Sequence, residues 1–123
     1  MKICISSDGN SVDSILDPRF GRAAFFAIAD TDTMEMDIME NSAAATGGAG
    51  IAAGQLMVDK GVGAVITGNV GPNAMDILKA ADIKIIKGML VSVKENLEKY
   101  KKGLLSAIES SVPQHYGMQG GKK

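Results

Sequence analysis

Three short apolar segments open the chain, and the polar residues between them set their limits. Ile3 and Ile5 flank Cys4 in residues 2–6, a strand of β-formers that runs into Ser6-Ser7-Asp8. Asp8-Gly9 and Asp17-Pro18 mark the loop that follows. Phe25, Phe26 and Ile28 centre a second strand over 23–30. Past the Thr31-Asp32-Thr33 turn, Met34, Met36 and Ile38 alternate with Glu35 and Asp37 over 34–39, the period of a half-buried strand. The last two segments predict an antiparallel hairpin.

The period then lengthens. Residues 49–60 place Ala, Leu, Met and Val on one side and Gln55, Asp59 and Lys60 on the other, a helix stopped by Gly61. Residues 63–67 read as a short buried strand and Gly68-Asn69-Val70-Gly71 as a loop. Pro72 suits the first position of a helix reaching about Ala81. Residues 83–86 form a further strand. Ser92 and Glu95 have the spacing of a capping box, and Val93, Leu97, Tyr100 and Leu104 line one face of the last helix. The order β-β-β-α-β-α-β-α ends in βαβαβ, whose strands are parallel with right-handed crossovers. The expectation is a three-layer α/β domain over 1–112 with a mixed five-stranded sheet, one strand antiparallel, and a flexible tail over 113–123. Ligands in such sheets bind beyond the carboxyl ends of the strands, where strand order reverses.

Composition narrows the chemistry. A length of 123 residues suits one domain with a core of its own. No apolar run approaches the roughly 20 residues of a membrane span, and the start is too soon polar for a signal peptide. One Cys, set in an apolar strand, points to a reduced, cytoplasmic protein with a buried thiol. One Cys and one His cannot enclose a zinc ion or an iron–sulfur cluster, each of which needs about four such ligands. The net charge of −1 argues against a nucleic-acid binder. It conceals an acidic first half and a basic second half, which reads either as solvated helix faces or as a basic end facing an anionic partner.

Three loops stand out. Asp17-Pro18-Arg19-Phe20-Gly21-Arg22 carries the chain's two arginines, whose planar forks suit an anion. Phe20 can anchor this loop in the core and Gly21 frees its turn. The alternative is that Arg19 and Arg22 pair with Asp13, Asp17 or Asp30. Thr46-Gly47-Gly48-Ala49-Gly50 enters a helix, where free N–H groups and the dipole favour an anion. Gly48, Gly50 and Ala53 also satisfy a loose dinucleotide pattern, but the preceding strand is too distant and no acid stands about 20 residues on. Close helix–sheet packing explains the same glycines. Gly68, Asn69 and Gly71 lie in a strand-to-helix loop, either a ligand edge or a plain turn. His115 is a solvated side chain or a single exposed metal ligand. No catalytic constellation emerges, and the clustered acids of metal-dependent nucleases are missing, Asp8 alone lying near the end of the first strand.

Taken in order, these segments resemble the dinitrogenase iron–molybdenum cofactor biosynthesis family, that of NifX, NafY and the C-terminal domain of NifB. The resemblance rests on Met1-Lys2-Ile3-Cys4-Ile5-Ser6-Ser7, on Leu16 to Ala23 with the Phe25–Asp30 strand, on Gly48 to Ala53, and on Val65 to Ala74. It covers about residues 1–105 and looks like the short stand-alone members. It implies a ribonuclease-H-like fold and transient holding of an anionic iron–sulfur or iron–molybdenum cofactor precursor, without catalysis. That task suits Arg19, Arg22 and the helix-entry glycines, and the expected site comprises Arg19, Phe20, Gly21, Arg22, Thr46, Gly48, Gly50, Gly68, Asn69 and Gly71, with His115 as a metal ligand. Partners would be the cluster precursor and a cluster-assembly or nitrogenase-related protein. A regulatory or adaptor module that holds no cofactor is the alternative. Arg19 stands where many nitrogenase-associated members carry a His, and the tail offers His115 in place of a Cys/His-rich end.

Overall fold

The computed structural model describes residues 1–112. The predicted 113–123 tail, His115 included, lies outside the described residues. Six strands form one mixed sheet in the order β3-β2-β1-β4-β5-β6, where β1 is Lys2–Ser7, β2 Phe25–Asp30, β3 Met36–Glu40, β4 Val62–Thr67, β5 Lys84–Lys87 and β6 Ser106–Ala107. β1, β4 and β5 are mutually parallel, β2 runs antiparallel to β1 and β3, and β6 runs antiparallel to β5. The sheet therefore has one strand and one antiparallel member more than the sequence pattern predicts. β6 spans two exposed residues, too short to leave a period.

Helices cover both faces. α1 (Ala49–Asp59) and α2 (Pro72–Ala80) close one face, where Ala53, Met57, Ala74 and Leu78 meet Cys4, Phe26, Val65 and Ile85. α3 (Val93–Lys101) closes the other, where Val93 and Leu97 meet Ile3, Ile5, Ile66 and Ile86. The central strands are buried on both sides, as their unbroken apolar runs require. β1 is the hinge of the topology, since the hairpin lies on one side of it and the crossover strands on the other.

Several predicted boundaries shift for local reasons. β2 starts at Phe25, two residues later than expected, and the bond from Asn41 N–H to Ala24 O (3.0 Å) closes its ladder with the next strand. β3 starts at Met36 because Met34 sits in the turn with φ +65° and is exposed, not half-buried. Gly61 takes φ +69° and stops the first helix as expected. Pro72 opens α2 and Ser92 caps α3, its Oγ accepting from Glu95 N–H at 3.0 Å. Leu104 is not on the buried face. Gly103, at φ +72°, donates to Tyr100, while Leu104 N–H donates to Lys99, so the helix ends three residues earlier in a Schellman turn and leaves Leu104 exposed.

Asn96 holds the loop between β5 and α3. It is fully buried on α3, its Oδ1 accepts from Met89 N–H (2.8 Å), and its Nδ2 donates to the Met89, Val91 and Ser92 carbonyls. Losing one partner of a buried hydrogen bond costs about 1–3 kcal/mol. Asn96→Ala is therefore expected to lower unfolding free energy by about 2–3 kcal/mol, read as a reduced urea midpoint at unchanged slope.

Candidate functional site at the carboxyl edge of the sheet

The loop after β1, the turn before α1 and the loop after β4 meet at one end of the sheet. Their meeting depends on missing side chains. A Cβ on Gly21 would stand 2.8 Å from the Gly50 Cα, and one on Gly68 would stand 2.7 Å from the Pro18 backbone. Backbone bonds tie the first loop to the third: Asn69 N–H donates to Pro18 O (2.8 Å) and Phe20 N–H to Asn69 O (3.3 Å). Beneath them, Ser6 Oγ at the end of β1 donates to Asp17 O (2.6 Å) and shares a hydrogen bond with Thr67 Oγ1 at the end of β4 (2.7 Å). Phe20 is buried against Phe26, with ring centroids 5.6 Å apart, so it anchors the loop and presents nothing outward.

The helix starts lie side by side. A Cβ on Gly50, in the first turn of α1, would stand 3.6 Å from the Ala74 Cβ in the first turn of α2. Gly48, at φ +79°, and Gly71 are the N-cap residues; neither offers a side-chain cap, and neither helix has an acid in its first turn. Two sets of first-turn amides and two positive dipole ends are thus left for a ligand. Thr46 is exposed, and its hydroxyl donates to Ala43 O (2.8 Å), which shapes the turn.

The arginines differ. Arg19 pairs with buried Asp17, Nε to Oδ1 at 3.3 Å, and Asp17 Oδ1 also accepts from Arg19 N–H. Arg22 donates from Nη1 to Ala44 O (3.1 Å) and makes no ion pair among the described residues. Sequence reasoning missed two members. Lys87 Nζ donates to Gly68 O (2.9 Å) and likewise makes no ion pair among the described residues. Its place at the carboxyl end of a parallel strand is the signal that was there to find. Asn41 donates from Nδ2 to Gly21 O (3.0 Å) and Ala23 O (2.9 Å), fixing the arginine loop from the far side.

The described residues hold no group of three or more His, Cys, Asp or Glu side chains placed for a metal ion. Cys4 is fully buried, and burial pushes its thiol up, away from the thiolate a metal needs. None of the described helices is long and apolar enough to cross a membrane.

Comparison with known proteins gives the chain's family. The family model for dinitrogenase iron-molybdenum cofactor matches residues 1–103. An uncharacterized protein of Methanocaldococcus jannaschii is 32% identical over 113 residues, covering 89% of this chain and 92% of its own. The orange protein of Desulfovibrio gigas, solved in its apo form, superposes with a TM-score of 0.83 at 34% identity, over 89% of this chain and 93% of that one. A NifB-like protein from Thermotoga superposes with a TM-score of 0.82 at 33% identity, over 92% and 97%. The chain belongs to the dinitrogenase iron–molybdenum cofactor family.

Two outcomes follow from the packing of the edge. Gly21→Ala is expected to cost about 1–3 kcal/mol in a denaturant melt, because its Cβ meets backbone that cannot swing aside. Cys4 is expected to resist alkylation in the native protein and to react fully once unfolded, as read by mass spectrometry.

Proposed function

We propose that the protein binds and carries an anionic iron–sulfur or iron–molybdenum cofactor precursor in the cytoplasm, with no catalysis of its own. The observation that carries this reading is the convergence of two uncapped helix N-termini with Arg22 and Lys87, cations free of carboxylate partners among the described residues. A helix start donates N–H groups to an anion, and a guanidinium forks onto one. The cargo's own sulfides would accept from the amides of the Gly48–Gly50 segment and of Gly71, the Asn69 N–H being held by Pro18 O, with Gly21 and Gly68 letting the loops close around the seat. Arg19, neutralised by Asp17, orders the loop more than it attracts charge. Thr46 and Phe20 act as supports.

The donor set fits this mode of holding. The described residues offer backbone donors and cations, and no cluster of soft ligands. The described chain ends at the seat, where Val112 N–H donates to Val70 O (2.9 Å), and His115 follows three residues on. In this reading His115 adds one imidazole ligand to the cargo, which otherwise brings its own. Family membership supports a cofactor-related role. We read the order β3-β2-β1-β4-β5, with β2 reversed, as ribonuclease-H-like, with β6 added at the edge.

A specific observation favours a second reading, an adaptor that docks a cluster-assembly partner without cofactor. Pairing of Ile15 with Ser92 brings exposed Val12 and Ile15 near Met89 and Leu90, an apolar surface on the loops flanking the seat.

Anaerobic mixing of the apo-protein with an iron–sulfur precursor, followed by desalting, separates the two. Cargo binding predicts that sulfide-to-iron charge-transfer absorption elutes with the protein. One charge-assisted hydrogen bond is worth about 1.5–3 kcal/mol, so Arg22→Ala is expected to weaken retention by about tenfold or more. Elution without iron contradicts the carrier reading and leaves the adaptor.

A further inference from the structure

The far side of the molecule carries a second feature that the carboxyl edge does not use. β3 is the outermost strand beside β2. Asp30 N–H donates to Glu35 O (2.9 Å) and Asn41 N–H to Ala24 O (3.0 Å), which sets the ladder's phase. Residues of that phase, Asp37 and Met39, turn their backbone groups toward β2, so Met36, Ile38 and Glu40 turn theirs outward, unpaired among the described residues.

Beside this edge lies a cleft of about 430 Å³. Ile28, Met36 and Met39 supply apolar lining, Asp30, Glu35 and Asp37 supply carboxylates, and Lys2 and Lys60 line it beside them, leaving one carboxylate in excess. No Lys or Arg occurs between Arg22 and Lys60, so the whole hairpin is acidic. Asp30 is engaged by the amino terminus and stands in register with Lys2, but Glu35 and Asp37 are exposed and make no ion pair among the described residues. The opposite face of β3 is apolar, with Met36 and Ile38 packed on the α3 side of the core.

We propose that the free edge of β3 and its cleft dock an extended segment of another protein that alternates basic and apolar residues, added as a further strand. Backbone pairing with Met36, Ile38 and Glu40 gives the affinity. The two faces give the selectivity: a Lys or Arg lays its aliphatic stem on Ile28 and Met39 and its charge against Glu35 and Asp37, while apolar neighbours extend the Met36–Ile38 face. The backbone N–H groups of Asp32 and Thr33 hold the Asp30 carboxyl below its ordinary range, with the amino terminus and Lys2 adding to the effect. A second copy is a poor occupant, because its own β3 carries only acidic charge and brings no cation to Glu35 and Asp37.

The test uses the full ¹⁵N-labelled chain titrated with a capped Lys-Val-Lys-Val-Lys-Val peptide, with a Glu-for-Lys peptide as comparison. Amide shifts are expected on Met36, Ile38 and Glu40 with the basic peptide alone, and affinity is expected to fall at least fivefold in Glu35→Lys/Asp37→Lys. Ile38→Pro removes an outward donor while sparing the β2 ladder, and is expected to abolish the response with the fold intact by circular dichroism. No response, an equal response to the acidic peptide, shifts mapping elsewhere, an unchanged charge-reversal variant, or self-association through β3 overturns the proposal. None of these outcomes bears on whether the carboxyl edge holds a cargo.

Discussion

Three backbone segments meet at the carboxyl ends of β1 and β4 because no side chain stands between them. Gly21 lies against Gly50, and Gly68 lies against Pro18, each too close for a Cβ. Everything else at that edge depends on this contact. It brings the arginine loop onto the start of α1 and lets Asn69 pair with Phe20 and Pro18. It also leaves two helix starts exposed side by side, each closed by a glycine that has no side chain with which to cap it. A residue that satisfied the helix amides internally would remove the donors that an anion needs.

Close approach alone would leave a loose edge, and buried polar groups fix it. Ser6 and Thr67 tie the ends of β1 and β4 to one another and to the Asp17 carbonyl, while Asn41 and Asn96 clamp the loops on either side. Among the described residues no buried side-chain nitrogen or oxygen lacks a partner, so these groups stabilise the structure and leave no orphan inside it. The cations at the rim are treated differently. Asp17 holds Arg19 in place and cancels its charge, while Arg22 and Lys87 rest on carbonyl oxygens and keep theirs. The edge thus combines rigid donors with two available positive charges, and supplies no thiolate.

Much of this was legible in the residues. Period and stop signals place the first five strands and the three helices within about three residues, because Gly61, Pro72 and Ser92 act locally. The three loops that frame the edge were identifiable, since the βα rule names the carboxyl ends of β1 and β4. What escaped was tertiary. β6 exists because the chain returns past Gly103 to meet Ile86 and Lys87, a contact between residues about 20 apart that no two-residue pattern records. Arg19 and Arg22 look alike in sequence; only the fold buries Asp17 under one and turns the other to Ala44. Lys87 was hidden for the same reason, as one lysine among many until β5 aims it at Gly68.

The central claim is that a metal–sulfur anion is held by backbone donors and unpaired cations at the glycine-lined edge. Amide mapping of the labelled protein with tetrathiomolybdate, a diamagnetic metal–sulfur anion, tests it most directly. The account predicts saturable shifts on Ala49, Gly50 and Gly71, and on the Arg22 side chain, that weaken as ionic strength rises. Absence of saturable shifts, or shifts confined to the β2–β3 hairpin, would contradict it.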